Sequence, residues 1–471
     1  MKRCVLRALT LWALLAPVLA SAAEVDGRAL AVWWGVPFAG VLLSIAVVPL
    51  VAPMFWHHHF GKVAAAWALA FLVPFAVVFG PGAAGAAVMH AAVAEYIPFI
   101  ILLTALFTVA GGIHVRGNLH GSPGLNTAIL GIGALLASFM GTTGASMLLI
   151  RPLIRANDNR RHQVHVVVFF IFIVSNAGGA LTPLGDPPLF LGFLKGVDFF
   201  WTIQHVWPQT LFLVGVLLAL FYVIDWWYYH RREEIRPVDP TPDTSPAFGL
   251  DGAANLALLA VVVGLVLLSG LWHPGVAWHV AGTDIALEGL VRDIGLIGVA
   301  LLSLRITPDS AHEGNQFGWG PMQEVAKLFA AIFLTIVPVI AMLRAGVDGP
   351  FAAVVRAVTL PDGTPHNAMY FWATGALSSF LDNAPTYLVF FNSAGGDPQT
   401  LMTTLAPTLV AISLGAVFMG ANTYIGNAPN LMVKAIAEDR GVRMPSFFGY
   451  MAWSFAILVP LFALITWLWF R

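Results

Sequence analysis

A chain of 471 residues that is 59% hydrophobic and only 10% charged, with mean hydropathy +0.82, is too apolar for a soluble domain, in which about a quarter of residues carry charge. A net charge of −1 without a basic patch gives no reason to expect nucleic acid as a partner. The 45 glycines and 30 prolines suit membrane helices that pack closely and break locally.

The N-terminus reads as a signal peptide over residues 1–22. Lys2, Arg3 and Arg7 form a basic region, Ala8–Leu19 an apolar core, and Ala20-Ser21-Ala22 a small-residue cleavage pattern. An uncleaved anchor helix is the alternative. The single cysteine, Cys4, lies here, so a processed chain would have neither a disulfide nor thiol chemistry.

Apolar runs of about 20 residues mark membrane spans. In the first half they are Ala29–Val51, Val63–Gly80, Tyr96–Ile113, an interrupted segment Val164–Leu194, and Val206–Tyr229. Leu125–Ile154 is broken at Gly141-Thr142-Thr143-Gly144 into arms too short to cross, which predicts a re-entrant hairpin turning at Thr142-Thr143. Arg231–Pro246 is the clear polar linker, so the expected division is a first repeat over residues 23–230, a cytoplasmic linker over 231–250 and a second repeat over 251–471. The second half repeats the order: Asn255–Leu271, Ile294–Leu304 extended back through Leu290, Val325–Leu343, a hairpin Ala368–Phe391 turning at Asp382-Asn383-Ala384-Pro385, a broken segment Leu401–Ala437, and Phe447–Phe470.

The most informative stretch is Ser175-Asn176-Ala177-Gly178-Gly179-Ala180-Leu181-Thr182-Pro183-Leu184-Gly185-Asp186-Pro187-Pro188, which a helix cannot traverse unbroken. Its grammar recurs in Gly420-Ala421-Asn422-Thr423-Tyr424-Ile425-Gly426-Asn427-Ala428-Pro429-Asn430, roughly 240 residues later, the same offset that separates the two hairpin turns. Broken backbone at membrane depth is tolerated only inside protein or beside a wet cavity, and paired interruptions in two halves point to a transporter site. Lys and Arg loop counts place the mature N-terminus outside, which makes the second half inverted. The expectation is an all-α polytopic membrane protein: an inverted repeat of about ten transmembrane helices plus two re-entrant hairpins, with broken helices at the midplane.

Intramembrane carboxylates are functional candidates by default. Asp186 and Asp382 are expected to supply negative charge at the midplane. Asn383, Thr142, Thr143, Asn176, Thr182, Thr386, Asn422, Thr423, Asn427 and Asn430 are expected to contribute oxygens there, with exposed carbonyls at half-helix ends. That set suits Na⁺ at Asp186 and Asp382, and a carboxylate that holds either Na⁺ or H⁺ gives exchange. Helix capping is the plainer alternative for both aspartates. His57-His58-His59, Glu95 and Glu324 are expected at interfaces, His162 and His165 in loops or at interfaces, and Asp225 in an aromatic belt with Trp226, Trp227 and Tyr228. No phosphate-binding loop, catalytic triad or metalloprotease signature is present, so neither ATP nor another cofactor is expected and the chain does not read as an enzyme.

At these residues the chain resembles the ion transporter superfamily, which includes citrate and dicarboxylate carriers, arsenite pumps and D-type Nha sodium/proton antiporters. Ser175-Asn176-x-Gly-Gly-Ala with Gly185-Asp186-Pro187-Pro188, and Ser378-Ser379-Phe380-Leu381-Asp382-Asn383-Ala384-Pro385-Thr386, look like the paired motifs of the antiporter branch, over most of the chain from Ala29 on. Departures are Leu189, where those antiporters usually have Asn, and the less polar tip Thr142-Thr143-Gly144. The resemblance implies exchange of Na⁺ or Li⁺ for H⁺ across a bacterial inner membrane, with Asp186, Asp382 and Asn383 at the ion site. A citrate or dicarboxylate carrier of the same fold is the alternative, and a membrane enzyme or channel a more distant one. Expected partners are membrane lipid and small inorganic cations; superfamily folds often form homodimers.

Overall fold

The computed structural model describes residues 26–117, 120–232, 249–280 and 283–471. The expected signal peptide and most of the expected linker lie outside the described residues. The chain is an all-α polytopic membrane protein. Seven helical stretches among the described residues are long and apolar enough to cross a membrane by length and composition, one of them the kinked Pro123–Ala156, or eight if Gly320–Thr335 and Val337–Arg344, bent by 42°, form one span. That bend falls at Ile336, just before Pro338, whose ring removes a helix hydrogen bond.

Most spans follow their apolar runs but are longer. Val63–Gly80 extends to Pro53–Phe79, Val206–Tyr229 to Phe199–Arg231, and Ile294–Leu304 to Leu287–Ile306. The third span reaches back to Pro81 through a π-helical turn, Ala91–Tyr96, that carries Glu95. Two short two-stranded sheets were not expected from the sequence: His114–Arg116 with Gly249–Asp251, and Ala277–Val280 with Thr283–Ala286. They bridge connections rather than add a layer.

Pro123–Ala156 is the first hairpin. It reverses at Gly141, whose φ of 80° favours glycine, one residue before the expected turn. Its ends meet: Gly121 N donates to Ala156 O, and the Asn126 and Asn157 amides exchange hydrogen bonds at 2.9 Å. The second hairpin runs Asn367–Phe380, then Asn383–Ser393, and folds back far enough to set Tyr370 edge-on to Phe390. The first broken segment is Val164–Ile173, a short turn Ala177–Ala180, and Pro187–Leu194. The second is Ala406–Met419, Gly420–Asn422 and Ala428–Asp439. Val164–Ile173 is wholly buried, apart from its first residue, because hairpins and neighbouring spans cover it on every side. The breaks themselves, residues 174–186 and 420–427, are buried apart from half-buried Leu181, and so lie where their backbone can be satisfied by protein.

Candidate functional site

Each break is closed by a threonine and a glycine. Thr182 Oγ1 donates to Ser138 O, and Thr423 Oγ1 donates to Ser379 O. Each hydroxyl then accepts from an amide two residues on, Leu184 N and Ile425 N, both at 3.2 Å. Gly185 packs on Gly179 and Gly426 on Gly420 so tightly that a Cβ would stand 2.2 and 2.5 Å from the facing carbonyl oxygens. These contacts recur at one offset: 379 − 138, 423 − 182 and 426 − 185 each equal 241, the separation of Asn427 from Asp186. Two stretches of one chain build the same local structure twice.

The breaks and hairpin tips meet at Asp186, whose side chain is buried. Asp186 Oδ1 accepts from Thr142 Oγ1 at 2.9 Å and from Asn427 Nδ2 at 3.1 Å, and Oδ2 accepts from Asn383 Nδ2 at 2.5 Å. One residue from each of four irregular elements thus contributes. A hydrogen bond to a charged group is worth about 1.5–3 kcal/mol, so three of them strongly favour this one arrangement. All four residues also stand at helix starts. Asp186 precedes Pro187–Leu194, Asn427 precedes Ala428–Asp439, Asn383 opens Asn383–Ser393 after Asp382, and Thr142 opens the second arm of its hairpin. Positive helix ends therefore surround the carboxylate, each worth about 0.3–1 kcal/mol to a nearby anion.

Half-helix ends of both kinds meet here: the helix starts present donors, and just past the end of Val164–Ile173 the Ser175 carbonyl accepts from Asn427 Nδ2 at 3.1 Å. Prolines at the start of the helices after Asp186 and Asn427 are the signal that could have shown those starts.

Other expected site residues divide. Asn176 links the breaks: its Nδ2 donates to Asn430 Oδ1 at 2.8 Å, and its Oδ1 accepts from Asn427 Nδ2 at 3.3 Å. Asn430 Nδ2 binds Gly420 O and Thr423 O, so it holds the second break together. Thr182 and Thr423 are the loop closures described above. Asp382 is half-buried and caps its own helix, accepting from Ala384 N at 3.0 Å, and Thr386 returns a bond to Asp382 O. Asn422 donates to Ser379 Oγ, and Thr143 lines the cavity without bonding Asp186. Asp382, Thr143, Thr386 and Asn422 therefore lie outside the hydrogen-bonded set on Asp186.

One polar atom beside the carboxylate has no partner. Asn383 Oδ1 is buried and accepts no hydrogen bond from the described residues, on the same amide whose Nδ2 holds Asp186. A buried acceptor without a donor is costly, by about 1–3 kcal/mol. A cavity of about 100 Å³ opens beside Asp186, room for a few water molecules. Its lining combines Thr142, Gly185 and Asp186 with apolar side chains that include Leu103, Phe107, Met322 and Val325. Asp186 is the one ionisable side chain lining it.

Two further charged clusters are buried, contrary to expectation. Asp225 does not sit in an aromatic belt. It accepts from Arg160 Nη2 at 2.5 Å, from Asn126 Nδ2 at 2.9 Å, and contacts His165 Nε2 at 2.7 Å. His165 is likewise buried rather than in a loop. Glu95, expected at an interface, is buried and paired with Lys195. Among the described residues no group of three or more His, Cys, Asp or Glu could hold a metal ion, and the three adjacent histidines form no such site.

A family model described as "Putative citrate transport" matches residues 27–470, and the chain belongs to that family. An uncharacterized transporter of Mycobacterium bovis is 26% identical over 399 residues, covering 78% of this chain and 85% of its own. An uncharacterized transporter of Mycobacterium tuberculosis matches with the same identity and coverage. The chain is a membrane transporter by family.

Proposed function

We propose that this member of the citrate-transport family is a secondary active transporter that exchanges Na⁺ or Li⁺ for H⁺ at Asp186, resembling the D-type Nha antiporters. The observation that carries the reading is the unpartnered Asn383 Oδ1 beside the buried Asp186 carboxylate. Two oxygens on neighbouring groups, one charged and one short of a donor, are what a small hard cation fills. In the proton-loaded state the same carboxylate becomes neutral, and Asn383, Asn427 and Thr142 reorient to a carboxylic acid. Cation and proton compete for one group, so binding one releases the other. Asp382 adds charge from its cap position without bonding Asp186.

Electrostatics weigh against a polycarboxylate in this cavity. Two unit charges 4 Å apart repel by about 4 kcal/mol at an effective dielectric of 20, and no cationic side chain lines the cavity to offset Asp186. The second reading is a cation-coupled citrate or dicarboxylate carrier. It is favoured by the family description and by the four helix N-termini, which could take a substrate carboxylate once a cation has neutralised Asp186.

The 241-residue recurrence supports an architecture of two repeats, over residues 23–230 and 251–471, joined by a cytoplasmic linker over 231–250. We read them as inverted in a bacterial inner membrane, with ten spans and two opposed hairpins, and with the signal peptide cleaved. The hairpin-bearing elements would move against the apolar lining to expose Asp186 to either side.

The test is Na⁺- and Li⁺-induced dequenching of a pH dye in everted vesicles, wild type against Asp186→Asn. Dequenching lost in the variant is expected. If the folded wild type responds to neither cation between pH 6.5 and 9, the exchange reading fails, and labelled citrate and succinate uptake then tests the second.

A further inference from the structure

Arg151 is nine-tenths buried yet poorly matched. Its Nη2 donates to Gln316 Oε1 at 3.2 Å, while among the described residues Nε and Nη1 have no partner and no carboxylate lies within ion-pair distance. A guanidinium does not readily shed its proton to relieve burial, so the missing acceptors leave the charge poorly compensated in this conformation. Its neighbour is unusual too: Gln316 is, among the described residues, the single non-glycine with a positive φ, 50°. A residue held in that region signals a local demand that overrides backbone preference. The same loop continues into Phe317, which packs on Phe107 of the cavity wall.

The position follows from helix geometry. Thr143, Met147 and Arg151 recur at four-residue spacing and share one face of the second hairpin arm, with Arg151 about 12 Å from Thr143. Thr143 lines the Asp186 cavity, and Met147 packs with Phe107 and Met322, which line it too. Arg151 therefore sits behind a layer of methionine and phenylalanine, on the side of the hairpin's ends. Exposed Arg440 and Asp439, on the helix after the second break, are close enough to act on it electrostatically.

We propose that Arg151 with Gln316 is a second binding site, for a small oxyanion, separate from Asp186 and two helical turns from Thr143 along the second hairpin arm. A planar guanidinium is the side chain best suited to carboxylate or phosphate oxygens, and the anion supplies the acceptors the protein withholds. Gln316 holds one nitrogen and so sets which edges face the ligand. The site does not depend on the cation/proton reading of Asp186.

The experiment measures thermal unfolding of the purified full-length protein in detergent, with citrate or inorganic phosphate titrated at constant ionic strength. A ligand that binds only the folded state raises Tm with concentration. Wild type and Asp186→Asn should both shift, Arg151→Gln should not, and Arg151→Lys should shift with at least tenfold weaker apparent affinity. Which anion acts distinguishes carboxylate from phosphate. If Arg151→Gln is too unstable to purify, Arg151→Lys alone decides. An undiminished shift in either Arg151 variant, or no shift in wild type with either anion, overturns the proposal. Loss of the shift in Asp186→Asn would place the anion at Asp186 and overturn it as well.

Discussion

Asn383 Nδ2 reaches Asp186 Oδ2 at 2.5 Å across a separation of 197 residues, so the tip of the second hairpin is tied directly to the first break. Asn383→Ala removes one charge-assisted bond of about 1.5–3 kcal/mol together with the unpartnered oxygen. The KM for Na⁺ in the vesicle assay should rise about 10- to 100-fold, with the amount of folded protein unchanged. A KM within about twofold of wild type would show that Asn383 takes no part in cation binding.

Asp382 has a different expected phenotype from Asp186. Asparagine caps a helix about as well as aspartate, so Asp382→Asn should keep the bond from Ala384 N and lose only charge. Exchange should weaken by less than about tenfold, whereas Asp186→Asn should abolish it. Equal loss in the two variants would give Asp382 the same standing as Asp186.

The two break glycines are constrained by backbone, not by a movable side chain. In Gly426→Ala the new Cβ would meet Gly420 O at 2.5 Å and Ser378 O at 2.7 Å. Folded protein recovered from membranes, read by fluorescence-detected gel filtration, should fall sharply. Gly264→Ala, with nothing within 4 Å of its Cβ, should be recovered as well as wild type. Equal recovery would mean the second break is not held as described.

The Asp225 cluster should report on stability. Asp225→Asn leaves Arg160 and His165 facing a neutral amide in a buried site. Removing one partner of a buried ion pair costs about 3–5 kcal/mol, so the melting temperature in detergent should drop markedly. Adding Arg160→Met should recover part of the loss, because the buried charge that faced Asp225 is gone. A drop that Arg160→Met only deepens would argue against the pair as the source.

The sequence made the breaks legible because Gly-Asp-Pro-Pro and Gly-Asn-Ala-Pro leave a helix no way through, and because the same grammar occurs twice. The Asp186–Thr142–Asn383–Asn427 set followed from those positions. What stayed hidden depended on neighbours. Asp225 stands beside three aromatic residues, the pattern of an interface, yet its partners Arg160 and His165 come from 65 and 60 residues away. Glu95 begins an apolar run, and nothing nearby in sequence announces Lys195. Thr386 and Asn422 have the right chemistry for an ion site but use it on adjacent backbone or serine groups, which composition alone does not reveal.

The apolar lining of the cavity has a mechanical consequence. Leu103, Phe107, Met322 and Val325 contribute only carbon and sulfur side chains to the lining, so in the proposed cycle displacement along them would break no side-chain hydrogen bond. The polar contacts Lys195 to Glu95 and Arg151 to Gln316 are directional and would have to part or follow in the proposed cycle. A carrier that moved in this way would slide easily at its centre and be timed at those contacts.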